Sequence, residues 1–158
     1  MFAATKAVAT AAASGGVKGA AAAPPFLSRI VFMVRSSTTG ENALLKAVDF
    51  YTSALHLPVR RVTDEWAELE ANPYTILQLQ MVTSESQVAT GYSPILNFHI
   101  EPHGPISFEE TVTACVQAGA HLDGPIQFPA HGKVAAFRTP DGHMIGLYAP
   151  AVSSNTPS

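Results

Sequence analysis

The sequence is poor in cysteine, in charge and in long apolar runs. Cys115 is the only cysteine among 158 residues, so no disulfide can form within the chain, as is typical of reducing compartments. Only 13% of the residues are charged, the formal net charge is −3 and the pI is near 6.0. These values argue against binding to nucleic acid or to anionic membranes, which require a basic surface. No apolar run approaches the roughly 18 residues that span a bilayer, so we expect no membrane insertion.

The first 25 residues differ in composition from the rest of the chain. They are mostly Ala with Ser, Thr and Gly, they carry Lys6 and Lys18, and they contain no acidic residue. Such a leader resembles an organelle transit peptide, although the first arginine is Arg29. We therefore predict a transit peptide and a mitochondrial protein, with a plastid or cytoplasmic protein and a disordered leader as alternatives. Residues 151–158 form a polar segment that we expect to be a disordered tail.

The whole chain is 47% hydrophobic, which supplies a core for one globular domain. After residue 25 it alternates short apolar runs with amphipathic stretches. Spacings of three and four between apolar residues predict helices at residues 41–57 and 108–122. Runs rich in β-branched residues predict strands. These runs are residues 29–35, 59–70, 74–82, 95–100, 134–138 and 143–148. Pro140, Asp141 and Gly142 predict a turn that joins the last two strands into a hairpin.

An internal repeat relates the two halves of this pattern, with a period of about 65 residues. Residues 66–80 align with residues 134–148, so that Leu69 matches Phe137 and Leu77 matches Ile145. The repeat predicts two similar modules of sheet and helix that pack around a pseudo-two-fold axis.

Four segments of this repeat are similar to one known family. They are VDFYTSALHL at 48–57, WAELE at 66–70, AGA at 118–120 and TPDGH at 139–143. Residues 28–150 thus resemble a glyoxalase-like domain of the vicinal oxygen chelate superfamily, which includes glyoxalase I, bleomycin-resistance proteins and extradiol dioxygenases. The resemblance implies an α+β fold with βαβββ modules at 28–83 and 94–150, curved mixed sheets around a cleft, and helices on the outside. It also implies a homodimer.

The resemblance also allows a test for the metal centre of the superfamily. Metal-dependent members carry His, Glu or Gln ligands at four positions, which correspond here to Arg29, Gln78, Ile95 and Gly146. Only Gln78 has a donor atom suited to a divalent ion, and Arg29 is a permanent cation. We therefore expect no metal at this site, no cofactor, and no metal-dependent glyoxalase or dioxygenase activity.

Strand alternation separates the side chains that face the helices from those that face the cleft. The apolar parity, for example Phe32, Leu77 and Ile145, is expected to pack on the helices. The other parity supplies the candidates for a ligand-binding cavity. These are Arg29, Met33, Glu68, Gln78, Gln80, Asn97, His99, Arg138 and Tyr148.

Two readings of the charged candidates remain open. In the first, Arg29 or Arg138 binds a small anionic ligand. In the second, these arginines pair with Glu68 and Glu70 and fill the vacated metal pocket. His99 is the best candidate for an acid or base, because imidazole titrates near neutral pH.

The remaining histidines and the cysteine are expected to be structural. His56 and His121 follow helices, where a protonated imidazole meets the helix dipole. We expect His103, His131 and His143 to be exposed. Cys115 is expected to be a buried small hydrophobe.

Three functions fit these observations. The first is a metal-independent protein of the bleomycin-resistance type that binds a small organic molecule. The second is a glyoxalase-type lyase or isomerase with His99 or Glu68 as base. The third is a non-catalytic accessory subunit of an organellar complex.

Overall fold

The computed structural model describes residues 23–88 and 91–152, which form two βαβββ modules. The first module contains β1 (Arg29–Arg35), α1 (Ala43–Ser53), β2 (Val59–Val62), β3 (Trp66–Asn72) and β4 (Thr75–Val82). The second contains β5 (Ile95–His99), α2 (Phe108–Gln117), β6 (His121–Leu122), β7 (Gly132–Arg138) and β8 (Met144–Pro150). A short 3-10 turn, Glu85–Gln87, lies between them.

Both sheets have the same strand order. The first runs β1-β4-β3-β2 and the second β5-β8-β7-β6. In each, the first and last strands of the module are parallel and the other neighbours are antiparallel. The predicted α+β fold of two repeated modules is therefore confirmed.

Both helices are shorter than predicted because side-chain caps and left-handed residues define their ends. The Asn42 side chain accepts the Leu45 N–H at 3.1 Å and begins α1. Ser107 and Glu110 form a capping box at the start of α2, and these hydrogen bonds lower the pKa of Glu110. The chain leaves α2 after Gln117 through Gly119, which has φ +96°, so residues 121–122 extend as β6.

The strand predicted at 59–70 is two strands. Thr63 breaks it, because its hydroxyl accepts the N–H groups of Glu65 and Trp66 at 3.3 and 3.0 Å. This local turn reverses the chain, so β2 and β3 pair antiparallel.

One apolar core runs through both modules. Phe32, Leu69 and Leu77 of the first module share it with Phe137 and Ile145 of the second. These side chains have the predicted helix-facing parity. Cys115 is also buried, as expected, and burial raises the pKa of its thiol to about 11, so the thiol stays protonated at neutral pH.

The turn between β7 and β8 joins the second module to the first. The prediction that His143 is exposed was wrong, because its ring stacks on Phe32 with centroids 4.1 Å apart. Its Nε2 lies 3.0 Å from the Met33 carbonyl oxygen. Beside it, the Tyr51 hydroxyl donates to the Asp141 carboxylate at 3.3 Å. Burial and the Asp141 charge raise the pKa of Tyr51 well above its usual value.

The chain ends lie largely outside the described residues. Of the predicted leader only residues 23–25 are described, and of the predicted tail only 151–152, so the transit peptide and the organelle stay predictions. Within the described part of the chain, no helix is long and apolar enough to cross a membrane.

Candidate functional site

The face of the first sheet away from the apolar core carries a connected polar group. Arg29 Nη1 donates to Glu68 Oε1 at 2.6 Å and also to Gln78 Oε1. Gln78 Nε2 in turn donates to Gln80 Oε1 at 3.1 Å. Neighbouring strands place these residues side by side, since Glu68 of β3 is the register partner of Gln78 of β4. We call these four residues the Arg29 network.

The Arg29 network is open to solvent on the arginine side. The Arg29 side chain is 44% exposed, whereas that of Glu68 is 15% exposed. Only Nη1 of the guanidinium contacts partners among the described residues, so Nη2 and Nε remain available as donors. The predicted pairing of Arg29 with Glu68 is therefore present, and the arginine still offers hydrogen bonds to a ligand.

Arg138 contacts the turn between β7 and β8. Its Nη1 donates to the Gly142 carbonyl oxygen at 2.8 Å, and its guanidinium lies 5.7 Å from the centre of the Tyr92 ring. Sequence parity placed Arg138 with the cleft residues, and its contacts include the hairpin turn and Tyr92, which precedes β5.

The matching face of the second sheet is built differently. Asn97 of β5 is the register partner of Gly146 of β8, and His99 is the partner of Tyr148. The Asn97 Oδ1 lies 1.9 Å from the point where a Cβ of residue 146 would stand. The Asn97 amide thus occupies the space of the missing side chain, which is a contact that sequence analysis did not foresee.

His99 and Tyr148 lie at the end of this second face. Their rings approach edge to face with centroids 5.7 Å apart. His99 Nε2 lies 3.5 Å from Glu101 Oε1, and the Tyr148 hydroxyl donates to the His131 carbonyl oxygen at 3.0 Å. His99 therefore has a carboxylate beside it, and the hydroxyl hydrogen of Tyr148 is already engaged.

The predicted candidates form two groups, one on each sheet. Among residues 23–88 and 91–152, no hydrogen bond or ion pair joins the Arg29 network to Asn97, His99 or Tyr148. Met33 is half-buried, and its carbonyl belongs to the module joint. Each sheet thus carries its own group of polar candidate residues.

The four positions that correspond by resemblance to the metal ligands of the superfamily have different surroundings. Arg29 is hydrogen-bonded to Gln78, Ile95 is 42% exposed, and the Asn97 amide covers Gly146. In the described part of the chain, no group of three or more His, Cys, Asp or Glu side chains is arranged to hold a metal ion.

Comparison with known proteins agrees with this fold. The structure resembles a glyoxalase-related enzyme from Fulvimarina pelagi, with a TM-score of 0.61 and 18% identity over 78% of this chain and 87% of that one. The antibiotic-binding protein TnmS3 of a Streptomyces species gives 0.54 and 22%, over 82% and 98%. A mutant of the fosfomycin resistance protein FosX from Listeria monocytogenes, complexed with Mn(II) and a dihydroxypropylphosphonic acid, gives 0.62 and 15%, over 82% and 94%.

The sequence itself matches no family model and no curated protein. At these identities the likeness is one of fold, and it confirms the expected resemblance to glyoxalase, bleomycin-resistance and dioxygenase proteins at that level.

Proposed function

We propose that this chain binds a small organic anion without the metal of the superfamily, and that Arg29 is the group that receives the anion. The observation that carries the proposal is the position of its guanidinium. Arg29 Nη1 is hydrogen-bonded to Gln78. This bond connects residues at two of the four positions that hold the metal in metal-dependent members. A permanent cation therefore stands where a metal would stand.

The chemistry of the four positions supports the absence of that metal. A guanidinium repels a divalent ion, and neither Ile95 nor Gly146 has a donor side chain. A guanidinium also matches the two oxygens of a carboxylate or phosphonate, because its N–H groups form a planar fork. The free Nη2 and Nε of Arg29 can therefore bind such an oxyanion directly.

The fold relatives are consistent with a small-molecule ligand. One of them is described as an antibiotic-binding protein and another was solved with a phosphonic acid. A bleomycin-resistance-like binding protein thus agrees with both the fold and the residues of the Arg29 network.

A homodimer is part of the proposal. The strands β1 and β5 are at sheet edges, and Val31 and Ile95 on them are each 42% exposed. Exposed sheet edges with apolar side chains favour association with another chain. A second copy that covers these edges can bring the Arg29 network of one subunit opposite Asn97 and His99 of the other, and the molar mass in solution from light scattering tests this.

The experiment that tests the ligand uses two substitutions that are expected to change anion binding in opposite directions. Benzoate and phenylphosphonate are titrated into the full chain, with benzamide as the neutral analogue, and the melting temperature is followed. We expect the anions to raise it and benzamide to leave it unchanged. Arg29→Gln should weaken anion binding by about tenfold to a hundredfold, because charge-assisted hydrogen bonds are lost. Glu68→Gln should strengthen binding, because the carboxylate competes with the ligand for the guanidinium.

The matched control is Arg35→Gln, which removes a half-exposed arginine at the other end of β1 that pairs with Glu85 at 3.0 Å. This variant should bind the anions like the parent chain. Equal binding of benzamide, or full anion binding by Arg29→Gln, contradicts the proposal. Stoichiometric Zn²⁺, Ni²⁺ or Fe²⁺ in the purified protein contradicts its metal-independent part.

A glyoxalase-type lyase or isomerase is the second candidate. The observation in its favour is the approach of Glu101 to His99 Nε2 at 3.5 Å, which can orient the imidazole as a base. Glu68 is less suited to that role because its carboxylate is paired with Arg29. Turnover of a hemithioacetal that is lost in His99→Ala and kept in His131→Ala supports this candidate. If no ligand changes the melting temperature and no turnover is found, the accessory subunit remains as the third candidate.

A further inference from the structure

Two residues outside the Arg29 network extend its sheet face toward the edge of the first sheet. Arg61 of β2 is the register partner of Glu68, which is bonded to Arg29. Trp66 precedes Glu68 by two residues on β3, and side chains two residues apart on a strand point to the same face. Trp66 is also the register partner of Gln80, a member of the network. Arg61 and Trp66 therefore lie on the face that carries Arg29.

The guanidinium groups of Arg29 and Arg61 approach β3 from opposite sides. Arg29 lies on the edge strand β1, and its Nη1 reaches Glu68 Oε1 at 2.6 Å. Arg61 lies on the other edge strand, β2, and its Cζ is 5.3 Å from the centre of the Trp66 ring. Glu68 and Trp66 are separated by about 7 Å along β3, since a strand rises by about 3.4 Å per residue. A ring attached directly to an oxyanion on Arg29 is therefore long enough to reach Trp66.

The Trp66 ring and the Arg61 guanidinium both offer flat surfaces to a ligand. Trp66 is half-buried and Arg61 is exposed. In the described ranges Arg61 forms no ion pair, and its contact is with the Trp66 ring. A guanidinium is planar and stacks on aromatic rings, and aromatic rings attract each other in offset or edge-to-face arrangements. These two side chains together therefore favour a flat aromatic ring over a saturated ring.

The carboxylates on this face of β3 leave room for an anionic ring. Glu68 is bonded to Arg29, and its side chain is 15% exposed. Glu70 is the register partner of Ile76 and lies beyond Glu68, on the side away from Trp66. Beside Trp66, the guanidiniums of Arg29 and Arg61 thus accompany the single carboxylate of Glu68.

We propose that the anion bound at Arg29 carries an aromatic ring, and that Trp66 and Arg61 contact this ring. The inference rests on the proposed function and adds the class of the ligand to it, which is an aromatic carboxylate or phosphonate. Arg29 selects the charge, because its free N–H groups match the two oxygens of such an anion. Trp66 and Arg61 select the ring, because they attract π-electrons more than they attract a saturated hydrocarbon.

The first experiment compares two anions of equal charge on the full chain. Benzoate and cyclohexanecarboxylate are titrated separately, and their dissociation constants are obtained by NMR. We expect benzoate to bind about three- to tenfold tighter, because contacts between aromatic groups add to the binding free energy. Burial of apolar area alone predicts the opposite order, since the saturated ring has the larger surface. Equal binding, or tighter binding of cyclohexanecarboxylate, overturns this inference and leaves the anion proposal standing, whereas binding of neither anion overturns both.

The second experiment follows the ratio of these two dissociation constants in variants, because a general loss of charge or stability affects both anions alike. Trp66→Leu should bring the ratio to about one, and Trp66→Phe should keep it, since the aromatic ring is retained. Arg61→Gln should lower the ratio by about twofold to fivefold. This position is exposed on an edge strand, so the variant tests the inference even where Trp66→Leu does not fold. The control Arg35→Gln should leave the ratio unchanged. An unchanged ratio in Arg61→Gln and in folded Trp66→Leu overturns the inference.

The third experiment locates the ring by fluorescence, since Trp66 is the only tryptophan. 4-Nitrobenzoate accepts an electron from an excited indole on contact and so quenches its emission, and 4-nitrobenzamide is the neutral control. We expect saturable quenching by 4-nitrobenzoate, with an affinity at least about tenfold weaker in Arg29→Gln, and no saturable quenching by the amide. Saturable binding of 4-nitrobenzoate in NMR without quenching of Trp66 would place the ring elsewhere and overturn the inference alone. Absence of saturable binding would contradict the proposed function as well.

Discussion

The two modules share a fold and differ on the sheet faces that lie away from the apolar core. Gln78 and Gly146 occupy matching positions in the fourth strand of each module, and both lie next to the edge strand. In the first module the position holds an amide that is bonded to Arg29, and in the second it holds no side chain and is covered by Asn97. The helix-facing residues Leu69 and Phe137 instead remain large, apolar and fully buried. Packing therefore constrains one parity of the repeat, and the other parity is free to change its chemistry.

The hairpin turns of the two modules also differ. Asp141 and His143 of the second module contact α1 and β1 of the first. The repeat offset places Pro73 and Thr75 at the matching points of the first module, which lack these ionisable groups. The joint between the modules is therefore asymmetric, although the modules are built from the same pattern.

The largest expected effect tests whether the two modules share one core. Phe137→Ala should lower the free energy of unfolding by about 3–5 kcal/mol, and Leu69→Ala by about 2–5 kcal/mol. Because Trp66 lies in the first module and is the only tryptophan, its fluorescence during denaturation reports on that module. We expect Phe137→Ala, in the second module, to shift the Trp66 transition as well.

The control for this prediction is Phe128→Ala, since Phe128 is 70% exposed. That variant should change the unfolding free energy by no more than about 0.5 kcal/mol. A Trp66 transition that stays in place while the second module unfolds separately would show that the modules are independent.

A smaller effect is expected at the asymmetric joint. Tyr51→Phe removes the hydroxyl that donates to Asp141, whose side chain is only 2% exposed. A buried carboxylate that loses its donor should cost about 1–3 kcal/mol of unfolding free energy, measured by chemical denaturation. Tyr74→Phe is the comparison, because Tyr74 is 77% exposed. Equal effects of the two substitutions would mean that the hydrogen bond between Tyr51 and Asp141 does not stabilise the joint.

The smallest effect concerns the contact between Asn97 and Gly146 in the second sheet. Gly146→Ala should displace the Asn97 amide at a cost of about 1 kcal/mol, and the same substitution in an Asn97→Ala background should cost nothing. Denaturation of the four variants of this cycle gives the coupling free energy. Gly91→Ala is the control, since a Cβ at Gly91 meets no atom within 4 Å. A coupling free energy of zero would mean that Asn97 does not occupy the space above Gly146.

The sequence predicted the fold well because the information is local and repeated. Alternation along the strands, as in Phe32 and Leu77, separates core from cleft without knowledge of any partner. Element ends were predicted less well, because they depend on single side chains. The hydroxyl of Thr63 divides the strand predicted at 59–70, and Gly119 ends α2 earlier than periodicity indicates.

The candidate site was predicted in part for the same reason. Parity placed Arg29 and Glu68 on one face, and the structure joins them. Burial of His143 was missed because its stacking partner Phe32 lies far away in the sequence, and no local pattern reports such a contact.

The asymmetric joint between the modules matters while the chain is being synthesised from its N-terminus. A ribosome completes the first module before it adds the turn that carries Asp141 and His143. Until those residues emerge, Phe32 and Tyr51 lack the groups that cover them in the finished protein. The newly synthesised first module therefore exposes apolar surface during translation, when such surface invites aggregation or chaperone binding. This exposure ends once the last hairpin of the chain has been synthesised and packs on the first module.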